Sequence, residues 1–312
     1  MAGGVKEDGE GPRIVVFGAS RYVGRHLFAR LGHSASVATY YSRQVPGARY
    51  FDALRMNASD LLDGHPSVKG AVLLLGETDP NRCIADKARS EALNVRGLIR
   101  IIDALVERDC YVVFVSSQFI FDGTKGFYSE QDPPTPILLY GEQKARVEDY
   151  LRHQTANHCI LRLSKAVGDQ PDDGTLFCDW LTQILNGISS IRCPTDQIQS
   201  PIYIPDLVEA LLRILDRQCC GTYNLCGNGA WSRMRLLQLL IDSLRATRDI
   251  DIDLVPCGIN DFDLPEKRPL DVSMKPDKLV AATGVYLTPM PEVCRRTVEN
   301  HLRRACGPKD KR

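Results

Sequence analysis

The first half of the chain alternates short apolar runs with longer helical patterns, and this alternation restricts the possible folds more than any other feature. The apolar runs predict strands at residues 13–17, 36–41, 49–51, 70–75, 111–116 and 159–163. Helices are predicted at 22–31, at 82–108 as one long helix, and from Tyr140 onward. Strands that are apolar throughout and separated by helices form a parallel sheet covered on both faces. The expected fold class is therefore α/β.

The first predicted strand runs directly into a glycine turn that is followed by a helix. Gly18 permits a tight turn, and Gly24 lets the helix pack closely on the strand. The N-terminus of the helix offers free N–H groups to a pyrophosphate. We expect cofactor contacts from Gly18, Ser20, Arg21, Tyr22, Val23 and Gly24. Arg21 occupies the usual place of a middle glycine and either adds a phosphate contact or weakens binding. The alternative is an ordinary strand-to-helix turn.

The end of the second predicted strand favours NADP(H) over NAD(H). An NAD site places Asp or Glu there to hold the ribose 2′-hydroxyl, whereas this chain has Ser42-Arg43. A guanidinium binds phosphate through paired hydrogen bonds, so both residues are assigned to the 2′-phosphate. A solvated loop arginine is the alternative. Either Phe51-Asp52 lines the adenine pocket, or Asp52 caps a turn. The remaining candidate cofactor contacts are Leu75, Gly76, Asn94, Ser116, Tyr140 and Lys144.

These patterns predict a Rossmann-type, doubly wound parallel sheet with a smaller C-terminal substrate lobe. We place an NADP-binding domain at 13–165 and a mainly substrate-binding lobe, which returns strands to the sheet, at 166–306. The lobe's predicted elements are helices at 175–187, 206–216, 232–246 and 290–304 and strands at 221–226 and 251–255. Residues 1–12 and 307–312 are predicted to be disordered tails.

Composition excludes several classes of protein. Lys and Arg total 39, as do Asp and Glu, so no basic surface for nucleic acid or an anionic membrane is expected. No apolar run approaches the ~18 residues of a membrane helix, and the N-terminus lacks the apolar stretch of a signal peptide. The 11 scattered cysteines are typical of reduced thiols in a cytoplasmic protein. The absence of a Cys-x-x-Cys pair and the wide spacing of the six histidines make a metal site unexpected.

Tyr140-Gly141-Glu142-Gln143-Lys144 carries the candidate chemistry. Tyrosine and lysine four residues apart share one face of a helix, and an ammonium can lower the pKa of a nearby phenol that donates a proton. The same lysine can hold the nicotinamide ribose. Upstream, a strand ends in Ser116-Ser117, and Ser117 would polarise a substrate carbonyl. Alternatively, either serine simply caps the strand end. Asn94 either bonds active-site backbone or anchors a helix kink.

Several segments together resemble the dTDP-4-dehydrorhamnose reductase family of extended short-chain dehydrogenases. The most specific are residues 116–126, Tyr128, Glu130, 132–136 and Tyr140-Gly141-x-x-Lys144. Further matches are Asn94-Val95-x-Gly97, Ile160-Leu161-Arg162 with Gly168, Asp196-Gln197 with Pro201, Tyr203 and Asp206, Gly221-Thr222-Tyr223-Asn224-Leu225 with Gly227-Asn228, and Arg268-Pro269 with Lys278-Leu279. The resemblance covers nearly all of residues 13–304.

The resemblance implies an oxidoreductase that transfers hydride from NADPH to C4 of a nucleotide-linked 4-keto-6-deoxy sugar. Ser117, Tyr140 and Lys144 match the family's catalytic positions, and the segment at Arg268 matches one that shapes the sugar-nucleotide side. Gln118-Phe119 replaces the family's usual Asp-Tyr in the substrate pocket. We expect substrate contacts from Gln118, Phe119 and Arg268. For Arg268 the contact would be with a phosphate, and the alternative is a solvated loop arginine.

The resemblance also allows a different class of function. The family includes a regulatory subunit of methionine adenosyltransferase, so a non-catalytic NADP-binding subunit of a partner enzyme is the alternative. A sugar-nucleotide dehydratase or epimerase ranks last among the enzymes, because dehydratases usually place acidic residues just after the catalytic hydroxyl. By analogy with this fold class, helices 82–108 and 140–152 are a candidate homodimer interface.

Overall fold

The computed structural model describes residue 11 and residues 13–306. Apart from Gly11, the predicted tails at 1–12 and 307–312 lie outside these residues. The chain forms two compact units. The first contains the described residues up to Ser116 together with 143–161 and 214–221. The second contains 117–142, 162–213 and the described residues from Thr222 onward. The domain division placed at residue 165 remains a prediction.

A seven-stranded sheet organises the fold. The strands of the chain are β1 (Ile14–Phe17), β2 (Ser36–Tyr40), β3 (Arg49–Tyr50), β4 (Gly70–Leu73), β5 (Tyr111–Ser117), β6 (His158–Leu163), β7 (Ala166–Val167), β8 (Ser190–Pro194), β9 (Ile198–Gln199), β10 (Ile202–Tyr203), β11 (Gly221–Leu225), β12 (Trp231–Ser232) and β13 (Asp253–Cys257). The sheet order is β11-β6-β5-β4-β1-β2-β3. The pairs β1–β2, β1–β4, β2–β3 and β4–β5 are parallel. The predicted α/β fold class with a doubly wound sheet is confirmed.

The strand order reverses beside β1, and this position determines where a ligand can bind. From β1 the chain proceeds to β2 and β3 on one side, and it then returns to β4 and β5 on the other. In sheets of this kind, ligands bind outside the carboxyl ends of the strands at such a switch point. Three two-stranded sheets, β7–β10, β9–β12 and β8–β13, belong to the second unit.

The helices are α1 (Tyr22–Leu31), α2 (Ala58–Asp63), α3 (Pro80–Ala85), α4 (Lys87–Glu91), α5 (Leu98–Val106), α6 (Leu139–Gln154), α7 (Leu176–Leu185), α8 (Ile204–Arg217), α9 (Arg233–Arg245), α10 (Asp277–Thr283) and α11 (Met290–Cys306). The bounds of α1 agree with the prediction, whereas α2, α10 and the short strands β7 to β10 were not predicted. Among the described residues, no helix combines the length and apolar character needed to cross a membrane.

The single long helix predicted at 82–108 is wrong. It is interrupted at Asp86, whose φ of −133° and ψ of 77° are not helical, and whose side chain accepts a hydrogen bond from the Arg89 N–H. A side chain that caps a new helix in this way competes with continuation of the old one. Residues 92–97 then form a π-helical turn before α5 begins. Hydrophobic periodicity continues through both irregularities and therefore did not reveal them.

The core of the first unit lies between the sheet and α5. Buried side chains from alternate strand positions, such as Phe17 and Phe114, contact the apolar face of α5, which includes Ile101 and Leu105. Phe17 also packs edge-on against Phe51, with 5.2 Å between ring centroids. Each such side chain contributes about 1.5–3 kcal/mol by leaving water. This packing fixes the strand ends from which the candidate site is built.

Candidate active site

The glycine turn after β1 has the geometry that its sequence predicts. Gly18 has a φ of +96°, and a Cβ there would lie 2.8 Å from the Leu75 nitrogen. A Cβ on Gly24 would lie 2.4 Å from the Gly18 oxygen. No side chain fits at either position, so the backbone of the turn approaches both α1 and the segment after β4. Thr39 fixes the turn from β2, because its Oγ1 accepts the Gly18 N–H at 3.1 Å.

A cavity of about 630 Å³, including its open mouth, lies beside this turn in the first unit. Its walls come from the end of β2, from the residues that follow β1, β2, β3 and β4, and from α4 and the π-helical turn. The predicted cofactor residues that line it are Gly18, Ser20, Arg21, Ser42, Asp52, Leu75 and Gly76. This position, at the switch point of the sheet, is where a dinucleotide binds in doubly wound folds.

Other predicted cofactor residues lie outside the lining of this cavity. They are Tyr22, Val23, Gly24, Arg43, Asn94, Ser116, Tyr140 and Lys144. Arg43 is exposed on the loop after Ser42. The Ser116 hydroxyl is buried and has no hydrogen-bond partner within the described part of the chain.

The cavity also has lining residues that sequence reasoning missed. They are Thr39, Tyr40, Tyr41, Ala53, Leu54, Arg89 and Leu93. Phe51, which is predicted together with Asp52 as a candidate lining of the adenine pocket, also lines this cavity. Arg89 and Leu93 lie one helical turn apart, so they present one charged and one apolar side chain from the same wall. Arg89 is exposed and lies in α4. Because strands separated by many residues meet here, no local pattern identified this wall.

Asp52 caps a turn and also lines the cavity. Its side chain is buried and lines the cavity, and its Oδ1 accepts the Leu54 N–H at 2.9 Å. Arg55 lies 3.8 Å from its other oxygen. The carboxylate therefore caps the turn after β3 and shapes the cavity wall at the same time.

Asn94 connects the segment after β4 to α6. Its Oδ1 accepts the Glu77 N–H at 2.8 Å, and its Nδ2 donates to the Glu77 carbonyl at 3.0 Å. The same Nδ2 donates to Gln143 Oε1 at 2.8 Å, and Gln143 in turn donates to the Ser90 hydroxyl at 2.9 Å. Asn94 thus bonds backbone next to the cavity from within the π-helical turn, which combines the two alternatives weighed for it.

Lys144 is a buried ammonium on α6. Its Nζ donates to the Val115 carbonyl at 2.9 Å and lies 4.7 Å from the centre of the Phe114 ring. Burial lowers the pKa of Lys144 to about 8, although Glu148, one turn further along the helix, acts in the opposite direction. Such a lysine stays largely charged at neutral pH and changes charge just above it.

In the second unit, Phe119 links Ser117 to Tyr140. The Ser117 Oγ accepts the Phe119 N–H at 3.2 Å, which is the capping role considered for this serine. The Phe119 ring meets the Tyr140 ring edge-on, with 6.4 Å between centroids. A Cβ on Gly141 would lie only 2.0 Å from the Phe119 carbonyl oxygen. The glycine of Tyr-Gly-x-x-Lys therefore allows α6 to begin directly against the turn after β5.

The candidate substrate residues have structural partners. Gln118 is buried; its Oε1 accepts the Ser164 hydroxyl at 2.7 Å, and its Nε2 donates to Gln199 at 3.2 Å. Arg268 is partly buried, and its Nη1 donates to the Glu266 carbonyl at 3.2 Å. Both ends of the Gln118 amide are therefore engaged by side chains of the second unit. Within the described residues, no group of three or more His, Cys, Asp or Glu side chains could hold a metal ion.

Comparison with known proteins places the chain in a family. The model of the RmlD substrate binding domain matches residues 12–303. The chain belongs to this family. Among curated relatives, a probable low-salt glycan biosynthesis reductase from Haloferax volcanii is 28% identical over 63% of this chain and 67% of its own length. Methionine adenosyltransferase 2 subunit beta from Xenopus tropicalis is 24% identical over 75% of this chain and 72% of its own length.

Solved structures of RmlD-type reductases share the fold. The dTDP-4-dehydrorhamnose reductase from Yersinia enterocolitica superposes with a TM-score of 0.80 at 20% identity, over 93% of this chain and 99% of that one. The Bacillus anthracis reductase in complex with NADP gives a TM-score of 0.78 at 17% identity, over 92% and 98% of the two chains. The expected resemblance to this family is confirmed. At these identities, the structural likeness establishes the fold alone.

Proposed function

We propose that this protein is an NADPH-dependent reductase of a nucleotide-linked 4-keto-6-deoxy sugar. The observation that carries the proposal is that Ser117 and Tyr140 both contact Phe119, with Lys144 one turn along α6 from the tyrosine. A carbonyl reductase needs a hydroxyl that polarises the carbonyl, a proton donor and a cation that tunes the donor. These three residues supply those groups.

The cofactor proposal rests on the cavity beside the glycine turn. Gly18 and the N-terminus of α1 would hold the pyrophosphate, because Gly18 lines the cavity and has no Cβ to keep a phosphate away from the backbone. Ser42, and Arg43 beside it, would bind the 2′-phosphate of NADP(H). NADPH, when bound, supplies the hydride.

The other steps of the reaction are assigned to three residues of this chain. Ser117 orients the substrate carbonyl by a hydrogen bond. Tyr140 donates the proton to the carbonyl oxygen from its Oη. The buried Lys144 ammonium stabilises the phenolate that remains and holds the nicotinamide ribose. A charge held away from water acts more strongly on its neighbours than an exposed one, which favours this role for Lys144.

The function is tested by following NADPH oxidation with a panel of nucleotide-linked 4-keto-6-deoxyhexoses, with NADH as the control cofactor. Turnover of one sugar, faster with NADPH, is the expected result. No turnover with any of the sugars, despite measurable NADPH binding, would contradict the reductase.

A non-catalytic role is the second candidate. Similarity to methionine adenosyltransferase 2 subunit beta over 75% of the chain favours it, as does Gln118, whose amide is engaged by Ser164 and Gln199. In this case the protein would bind NADP(H) and a partner enzyme. A pull-down that recovers one stoichiometric enzyme, together with absent sugar turnover, would support it.

A further inference from the structure

The Arg21 side chain bridges two edges of the cofactor cavity. Its Nη2 donates to the Gly76 carbonyl at 3.0 Å, and the same nitrogen lies 3.8 Å from Glu77 Oε1. Both Arg21 and Gly76 line the cavity. Since β1 and β4 are neighbours in the sheet, this bridge spans the crevice beyond their carboxyl ends. A dinucleotide pyrophosphate would have to lie in this crevice.

An arginine at this position requires no backbone strain. Arg21 precedes α1 with a φ of −85° and a ψ of 165°, which any L residue adopts. Arginine in place of the usual glycine therefore adds a side chain to the cavity without changing the backbone conformation of the turn. It adds a guanidinium whose side chain is 48% exposed. Water can therefore replace its hydrogen bonds to the Gly76 carbonyl and the Thr78 hydroxyl, at 3.0 and 3.4 Å, when the side chain rotates.

Glu77 has other partners that remain when Arg21 leaves. Its Oε1 accepts the N–H groups of Thr78 at 2.9 Å and Asp79 at 3.1 Å. Arg82 lies 3.9 Å from its Oε2. The carboxylate is thus satisfied within its own loop, and its pairing with Arg21 is exchangeable.

We propose that Arg21 is an exchangeable clamp, which pairs with Glu77 in the free protein and with the cofactor pyrophosphate in the bound one. This inference rests on the proposed dinucleotide binding. Arg21 immediately precedes the first turn of α1, beside the N–H groups that would hold the pyrophosphate. A guanidinium forms paired hydrogen bonds with phosphate oxygens, and a pyrophosphate carries more negative charge than one carboxylate. Glu77 then competes with the cofactor for the same cation.

Competition between Glu77 and the cofactor for Arg21 predicts that substitutions of Arg21 and Glu77 change the Kd for NADP⁺ in opposite directions. Arg21→Ala removes a charged ligand and raises the Kd for NADP⁺ by roughly 10- to 100-fold. Glu77→Gln keeps an oxygen for the Thr78 and Asp79 N–H groups but weakens the hold on Arg21. It should therefore lower the Kd by about two- to fivefold, as expected for loss of an exposed ion pair. The opposite signs separate the clamp from simple damage to the fold.

The test is calorimetric titration of the full chain with NADP⁺ and with ADP, which has the pyrophosphate but lacks nicotinamide and the 2′-phosphate. Arg82→Ala is the matched control, because Arg82 also lies near Glu77 but does not line the cavity. Its Kd should stay within about twofold of the wild-type value. The Arg21→Ala loss should be similar for both ligands.

Unchanged or tighter binding by Arg21→Ala would overturn the clamp, as would weaker binding by Glu77→Gln. A loss confined to NADP⁺ would also overturn it, because Arg21 would then contact the 2′-phosphate. No sugar is present, so the result is independent of catalysis. If the wild-type protein binds NADP⁺ and Arg21→Ala binds it equally well, the clamp is contradicted and the proposed reductase is not.

If the Kd values shift as predicted but no sugar is turned over, the reductase is contradicted and the clamp is not. Wild-type protein that binds neither ligand contradicts both.

Discussion

Asn94 donates from its Nδ2 to Gln143 Oε1 at 2.8 Å, and both side chains are buried. The pair joins the π-helical turn to α6, directly before Lys144. Through Glu77, Asn94 also holds the backbone that follows β4. The Asn94 amide thus connects the edge of the cavity beside the glycine turn to the helix that carries the candidate catalytic lysine.

Replacing Asn94 by Ala should destabilise the protein by about 1–3 kcal/mol, because the partly buried Glu77 backbone groups and the buried Gln143 lose their partner. Denaturant unfolding measures this change. Asn186→Ala is the control, since Asn186 is exposed at the end of α7 and should change stability by less than about 0.5 kcal/mol. Equal effects of the two substitutions would show that the buried network contributes little.

Gly141→Ala should destabilise the protein by about 1–3 kcal/mol, because the new methyl group would meet the Phe119 carbonyl at 2.0 Å. The obstacle is backbone and cannot rotate away. Gly64→Ala is the matched control: Gly64 has a φ of −71°, and the nearest atom to its added Cβ is 3.5 Å away. It should be neutral or gain up to about 1 kcal/mol. Thermal unfolding measures both changes, and equal Tm shifts for the two variants would contradict a steric clash at Gly141.

Tyr140→Phe should abolish sugar reduction and leave the NADPH Kd nearly unchanged, because only the proton donor is removed. Steady-state kinetics and fluorescence titration measure the two quantities. Tyr286→Phe, at a side chain that is 70% exposed, is the control and should keep full activity. Full turnover by Tyr140→Phe would exclude this tyrosine as the donor.

The pKa of Lys144 predicts opposite pH trends for activity and stability. Because burial lowers this pKa from 10.5 to about 8, the reduction rate should fall as pH rises through about 8 and the ammonium is lost. Between about 8 and 10.5 the unfolded chain binds more protons at this lysine, so the group's contribution to the free energy of unfolding rises with pH.

Rate profiles and denaturant unfolding from pH 6 to 10 measure both trends. In Lys144→Met the rising contribution to stability should disappear. A rate that stays constant to pH 10 in the wild-type protein would contradict the role of the ammonium.

Arg43→Ala should reduce the preference for NADPH over NADH by about tenfold or more, if Arg43 binds the 2′-phosphate with a charge-assisted hydrogen bond. The Kd values for both cofactors measure the preference. Arg89→Ala is informative beside it, because Arg89 lines the cavity whereas Arg43 does not. If only Arg89→Ala loses the preference for NADPH over NADH, the 2′-phosphate is recognised by α4 and not by the loop after β2.

Much of the fold could be predicted because its signals are local. The apolar runs indicated β1, β4 and β5, since a strand buried on both faces must be apolar throughout. Gly18 and Gly24 were recognisable because the tight turn leaves no room for a Cβ. The interruption at Asp86 was missed, because a side-chain cap in a helical pattern does not alter its periodicity.

The sequence by itself determined the α/β class, the glycine turn and the one-turn spacing of Tyr140 and Lys144, because each depends on neighbouring residues. Only the tertiary structure decided that Arg89 and Leu93 line the cavity, that Arg21 reaches Gly76, and that Asn94 bonds Gln143. These residues are far apart in the chain and meet only when the parallel strands align. Their chemistry is therefore set by packing, which no local pattern encodes.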